Sequence, residues 1–228
     1  MITVIDYGAG NLRSVENALK HLKATFAITS QPADVAMAHA ILLPGVGHFG
    51  QMMRSLDLLE ITPILRSAIR RGIPYFGICL GMHALYEQSE EAPHWPGLGV
   101  LRGVVRRFPE GRSGLSGQPG LKVPHMGWNR LDIIPGSRLF GDIPSGQFVY
   151  FAHSYFVPAE GSDDSDWAAV AEYGQPFVAA VEQKRLWGTQ FHPEKSGDAG
   201  LRILENFVRA CGNSGAEPRT PAPSGAEG

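Results

Sequence analysis

The stretch PYFGICLGMHALYE, Pro74–Glu87, sets an apolar run against residues suited to a helix and places one cysteine, Cys79, at the joint. Bounded by Pro74 and followed by glycine, the run reads as a strand buried on both faces. Cysteine is among the most buried residue types, so Cys79 reads equally well as core packing. The alternative is a nucleophile elbow, in which Gly77 and Gly81 relieve crowding where a strand turns sharply into a helix. Such a turn holds the sulfur near a helix N-terminus, where the dipole and free N–H groups lower a thiol pKa and receive an oxyanion. The pentapeptide GICLG leaves both readings open.

Upstream of it the same rhythm repeats. Ile2–Ile5 is a β-branched run, followed by Val15, Leu19 and Leu22 at helical spacing. TFAITS and AILLPG supply two further strands, and GQMMRSLDLLE and PILRSAIRR two helices, with Pro63 suited to a first turn and Gly72 to a stop. Alternation with near-continuous apolar strands predicts a parallel sheet covered on both faces. Downstream the segments are short and β-rich: GLGVLRGVVRRF, QFVYFAHSYFV, WAAVAEY, FVAAVEQ and RLWGTQF, the last two joined by a tight turn at Lys184. Leu204, Phe207, Val208 and Cys211 then form the stripe of a final helix, which makes Cys211 a packing residue. The fold class is α/β: one domain, residues 1–211, with a mixed, mostly parallel sheet flanked by helices and antiparallel additions in the second half. Residues 109–120 read as a Gly/Ser/Pro-rich insertion and 212–228 as a disordered tail.

A net charge of −2 and a pI near 6.4 give no electrostatic case for nucleic acid or an anionic membrane. No apolar run approaches the ~20 residues of a membrane span. The N-terminus reads as a strand rather than a signal peptide, so a cytoplasmic location is expected. Two cysteines and eight scattered histidines without metal-ligand spacing predict neither disulfides nor a metal, and no cofactor is expected.

Three other stretches bear on Cys79. In FHPE, His192 directly follows a strand and Glu194 lies two residues on, a carboxylate suited to fix the imidazole of a general base. By itself His192 reads as a turn histidine; a cysteine at one strand end with a histidine and carboxylate at another favours chemistry. PGVGHFG contains G-x-G-x-x-G, but after a later strand and with Asp57 and Glu60 inside the next helix, so the dinucleotide reading fails. Its free N–H groups suit an oxyanion instead. KVPHMGWN, Lys122–Asn129, has too few β-branched residues for a strand and reads as a loop, either folded on the core or, with Trp and Met, a partner contact.

Together DYGAGNLRSV, LPGVGHFG, GICLGMHALYE, KVPHMGWN, FAHSYF and GTQFHPEKSG resemble the class I glutamine amidotransferases, a flavodoxin-like fold, over nearly the whole chain apart from the tail. More narrowly, DYGAGN and PHMGWN resemble the glutaminase branch that serves imidazole glycerol phosphate synthesis in histidine biosynthesis. The resemblance implies Cys79 as nucleophile, His192 as acid/base and Glu194 as orienting carboxylate. It implies an oxyanion hole from the N–H of Leu80 and one from Val46 or Gly47, with Gly45, Ser154 and Tyr155 on the substrate side and Glu91 toward the glutamine amino group. It further implies a heterodimer with a (β/α)₈-barrel cyclase subunit that receives ammonia through a tunnel, contacted by Asn11, Lys122, Pro124, His125, Met126, Gly127, Trp128 and Asn129. One position departs from the pattern: His83 stands where the family usually has Gln. At helical spacing from Cys79 it faces the same pocket, where altered glutamine affinity and a perturbed thiolate are expected. Two rivals stand beside this reading: a subunit serving another acceptor synthase, and a thiol-based sensor or interaction subunit on the same fold.

Overall fold

The structure is a computed structural model that describes residues 1–9, 12–109, 121–159 and 164–212. Asn11, most of the Gly/Ser/Pro-rich insertion (110–120) and the tail (213–228) lie outside the described residues. In chain order the first half comprises β1 (Ile2–Ile5), α1 (Leu12–His21), β2 (Phe26–Thr29), α2 (Pro32–Ala36), β3 (Ala40–Gly45), α3 (Phe49–Leu58), α4 (Ile61–Arg70), β4 (Tyr75–Cys79) and α5 (Leu80–His83). The second half adds β5 (Gln88–Ser89), β6 (Val104–Arg107), β7 (His125–Arg130), β8 (Asp132–Ile133), β9 (Phe148–His153), β10 (Tyr155–Phe156), β11 (Trp167–Glu172), β12 (Pro176–Gln183), β13 (Leu186–Thr189) and α6 (Gly197–Gly212).

An eight-stranded sheet runs in the order β2-β1-β3-β4-β13-β12-β11-β8. Its first five strands are mutually parallel, and β12, β11 and β8 extend it by antiparallel pairs. The period of two along each strand sorts side chains to opposite faces. Ala40, Leu42, Phe76 and Ile78 pack with Val15 and Leu19 of α1 and with Ile203, Leu204 and Phe207 of α6. Ile41, Leu43 and Tyr75 pack on the other face with Met52, Met53 and Leu56 of α3 and Leu65 of α4. A strand with helices on both faces has no polar side, which is why β1, β3 and β4 are buried from end to end.

Two smaller sheets lie outside this frame: β10-β6-β5, and the antiparallel ribbon β7-β9. The ribbon corrects the reading of KVPHMGWN as a loop. His125–Arg130 pairs residue for residue with Phe148–His153, His125 opposite His153 and Arg130 opposite Phe148. Burial alternates along it, His125 inward and Met126 and Trp128 outward. Strand propensity reflects fit to a half-buried pleated surface, and here the cross-strand partners supply the fit that the residue types lack. From GLGVLRGVVRRF, only Val104–Arg107 is a strand.

Candidate active site

The site lies at the carboxyl ends of β3, β4 and β13, where parallel sheets collect ligands. Register places Gly45, the last residue of β3, directly beside Cys79, the last of β4. Cys79 has φ +53° and ψ −105°, a conformation that L-residues avoid, and the chain turns at once into α5. The neighbouring glycines make the turn possible: a Cβ at Gly81 would stand 1.9 Å from the Leu43 carbonyl oxygen, and one at Gly77 2.3 Å from the Gly81 oxygen. The Tyr75 hydroxyl donates to that same Gly81 oxygen at 2.9 Å, fastening the turn to the strand before it. Between core filler and elbow, the geometry is the elbow. The helix after it is a single turn, Leu80–His83.

His192 reaches Cys79 from the far end of β13. Its backbone N–H donates to Tyr150 O, and the Ser196 hydroxyl donates to His192 O, so the residue is clamped on both sides. Glu194 Oε1 lies 2.9 Å from His192 Nδ1, with both side chains nearly buried. Oε2 of Glu194 is buried without a hydrogen-bond partner, which leaves a carboxylate charge with one neighbour to neutralise it. Burial works against a charged His192. The Cys79 sulfur, by charge and by hydrogen bond, and Glu194 together outweigh it and push His192 up to about 10. The other three buried histidines go the opposite way: burial holds His83 and His125 down to about 4, and His153 well below the usual imidazole value. Of these four buried histidines, the one facing the sulfur is the one whose charged form is favoured.

A cavity of ≈ 190 Å³ opens over the sulfur. That is below the range for drug-sized ligands and suits a small metabolite. Val46, Gly47, Leu80, His83, Glu91, Ser154 and Tyr155, all singled out in the sequence, line it with Cys79. Gly45 does not line it. Gly45 sits beneath the pocket, where a Cβ would come within 2.6 Å of Leu80 Cβ, so its role is close packing of β3 on the elbow. Glu91 sends Oε2 to the Phe49 N–H at 2.7 Å, and His48 Nδ1 accepts from Gly50 N–H. The start of α3 is thus capped by the protein's own side chains, which explains why PGVGHFG is no phosphate loop. The Val46 N–H is engaged by the Tyr7 hydroxyl at 3.3 Å. Among the described residues no cluster of His, Cys, Asp and Glu is placed to hold a metal, and no helix is long and apolar enough to cross a membrane.

Of the eight positions assigned to a partner contact, Asn11 falls outside the described residues and one, His125, is corrected. His125 is buried, stacked on Tyr173 at 4.0 Å between ring centroids, and bonded through Nδ1 to His153 Nε2 at 3.0 Å. Asn129 is half-buried, and its side-chain N–H donates to Glu172 O at 2.8 Å. In a strand one face goes to the core, and in this motif that face takes His125 away from any partner. Lys122, Pro124, Met126 and Trp128 remain exposed and Gly127 is half-buried. Phe148, 57% exposed, joins Met126 (65%) and Trp128 (57%) on the ribbon's outer face. That face runs up to the cavity, since Met126 and Ala152 line it.

Sequence reasoning missed Gln190, Tyr7 and His153. Gln190 Nε2 lies 3.7 Å from Cys79 Sγ, and its Oε1 2.7 Å from His83 Nε2. His83 therefore reaches the sulfur through Gln190, and burial disfavours its charged form.

A cysteine at positive φ, a histidine bonded to a buried carboxylate and a small cavity over the sulfur stand together at the carboxyl ends of the parallel strands. Residues 3–211 match the family described as glutamine amidotransferase class-I, and the chain belongs to it. Its curated relatives are narrower. "Imidazole glycerol phosphate synthase subunit HisH" of Thermosynechococcus vestitus is 46% identical over 209 residues, 91% of this chain and 95% of the relative. The protein of the same name from Syntrophotalea carbinolica is 48% identical over 208 residues, 91% and 98% of the two chains. Within the family, the chain thus falls among the HisH subunits. A crystal structure of a glutamine amidotransferase superposes with a TM-score of 0.70 at 18% identity, over 93% of this chain and 100% of that one, and shares the fold.

Proposed function

We propose that the chain is the glutaminase subunit of an imidazole glycerol phosphate synthase, working in the cytoplasm in histidine biosynthesis, with Cys79, His192 and Glu194 as its catalytic groups. One observation carries the reading: Cys79, held at positive φ over a small cavity, faces a histidine whose proton it stabilises and whose other nitrogen is bonded to a buried carboxylate. The Cys79 thiol passes its proton to His192, which leaves a thiolate facing an imidazolium. Sγ attacks the side-chain amide carbon of glutamine, and the carbonyl π electrons move to oxygen. The Leu80 N–H, in the unpaired first turn of α5, meets that oxyanion with an N–H of the Val46–Gly47 turn. For Val46 to serve, its bond to Tyr7 must first break. His192 then gives its proton to the leaving nitrogen, the C–N bond breaks, and ammonia departs. Water attacks the thioester as His192 takes its proton, and collapse releases glutamate and restores the ion pair. Ser154 and Tyr155 suit the carboxylate end of glutamine, and Glu91 its amino group.

Ammonia released beside the ribbon is lost to water unless a partner covers the exit. The exposed Met126, Trp128 and Phe148 give that partner an apolar anchor, and a (β/α)₈-barrel cyclase is the partner we assign. Two free cysteines suit a reducing compartment. Co-expression with the cyclase tests the whole assignment. Cys79→Ala should abolish glutamine-dependent synthesis and leave ammonia-dependent synthesis intact; equal loss of both would remove Cys79 from the role.

A further inference from the structure

The side chain nearest Cys79 Sγ from the end of β13, apart from His192, is Gln190. It is fully buried, as is His83 apart from a trace, so neither meets solvent. The Gln190 carboxamide oxygen lies 2.7 Å from His83 Nε2, and its nitrogen approaches Sγ at 3.7 Å. These two contacts fix the orientation of the amide. With the His83 Nε2–H donating, Oε1 accepts and the amide N–H is turned to the sulfur. The opposite flip would need the other tautomer of His83, and would aim the lone pairs of Oε1 at a thiolate, which a buried site penalises. A neutral His83 retains the N–H required, and a thiolate selects the orientation in which it receives a donor.

We infer that Gln190 is a catalytic residue of the glutaminase reaction, its amide N–H stabilising the Cys79 thiolate, and that His83 is the positioning residue that locks this amide in its donating orientation. The inference rests on Cys79 being the nucleophile. It gives the departure at position 83 a function: a rigid ring N–H replaces a flexible side chain, and orients a donor rather than touching substrate alone. Other titratable groups face the sulfur as well: His192 with Glu194 behind it, Tyr7 from the turn after β1, and His153 from β9 beyond His83 and His192. All are left in place by the variants below.

The test is the pH profile of Cys79 alkylation by iodoacetamide in the full chain, read by mass spectrometry on the Cys79 peptide so that Cys211 is counted separately. In Gln190→Leu the half-maximal pH moves up by about one unit relative to the parent, and the rate at pH 7 falls about tenfold, as for loss of one hydrogen bond to a charge. His83→Leu moves the profile in the same direction by less, because the amide stays but is no longer held. His83→Gln, which restores an N–H toward Oε1, returns the parent profile. A role in packing alone would lower the melting temperature and leave the profile where it was. Coincident profiles for Gln190→Leu and the parent overturn the inference; if circular dichroism shows that Gln190→Leu does not fold, coincident profiles for His83→Leu and the parent do so instead. Failure of the underlying assignment looks different: Cys79 of the parent would then react no faster than Cys211, and Cys79→Ala would retain glutaminase activity.

Discussion

The Cys79 elbow and the β7-β9 ribbon border the same cavity and are built on opposite terms. The elbow is over-determined: glycines on both sides, backbone within van der Waals reach of β3, and a hydroxyl from Tyr75 tying the turn shut. Its conformation is strained, and strain persists only where the surroundings leave no alternative. The ribbon is permissive. Its inner face is pinned by the His125–His153 pair and the aromatic rings around it, while Met126, Trp128 and Phe148 stand in solvent. A site that makes a reactive intermediate needs a rigid reacting centre, and a surface that receives a partner needs exposed anchors; under the proposed function, their adjacency gives ammonia a path from one to the other.

The contrast is open to direct attack. Glu194→Gln, which removes the charge behind His192 while keeping its shape, should lower glutaminase kcat by about 10⁴-fold, the scale seen when the third member of a catalytic triad is neutralised. Steady-state glutamine hydrolysis in the complex checks it, and a loss under tenfold would make Glu194 a structural carboxylate. Next in size, Gly81→Ala should destabilise the fold by about 3 kcal/mol, since the methyl meets backbone that cannot retreat. A urea midpoint equal to the parent's would show that the elbow is looser than its contacts imply. Trp128→Ala touches only the ribbon and should leave that midpoint alone while weakening cyclase binding by about 2 kcal/mol, roughly thirtyfold in Kd by calorimetry. Loss of stability instead would merge the two regions into one core.

The smallest effect is in pH. With its ionisation raised to about 10, His192 keeps the proton it must donate through neutral and mildly alkaline solution. Activity should fall only as pH passes about 10, roughly tenfold per unit, and the fall should begin earlier in Glu194→Gln. The same shift enters stability. A histidine raised above its unfolded value of 6.5 contributes stability that is complete below that pH and lost as pH climbs through about 10. Unfolding midpoints measured across that window should decline in the parent and less so in Cys79→Ala, which lacks the charge that holds the proton.

Much of this was legible in the residues. Strand–helix alternation through β4 and the antiparallel pairs after it are written in periodicity, because a strand buried on both faces is apolar throughout. Cys79, His192 and Glu194 were legible as candidates from flanking glycines, a strand end and a carboxylate two residues on, but only the distant pairing of GICLG with FHPE favoured chemistry over packing. Glu91, Ser154 and Tyr155 required the likeness to a family. Lys122–Asn129 was misread as a loop because its strand is made by β9 across the ribbon rather than by its own residue types.

Local sequence thus determined the sheet and offered the elbow as one of two readings of GICLG, since strand pattern and flanking glycines lie within a few residues; the roles of Cys79, His192 and Glu194 came from the likeness to a family. Tertiary structure alone decided which imidazole favours its charged form, that Val46 is held by Tyr7, and that Gln190 lies between Cys79 and His83, 111 and 107 positions away. Protonation and amide orientation are set by burial and by partners in space, and no spacing along the chain encodes either.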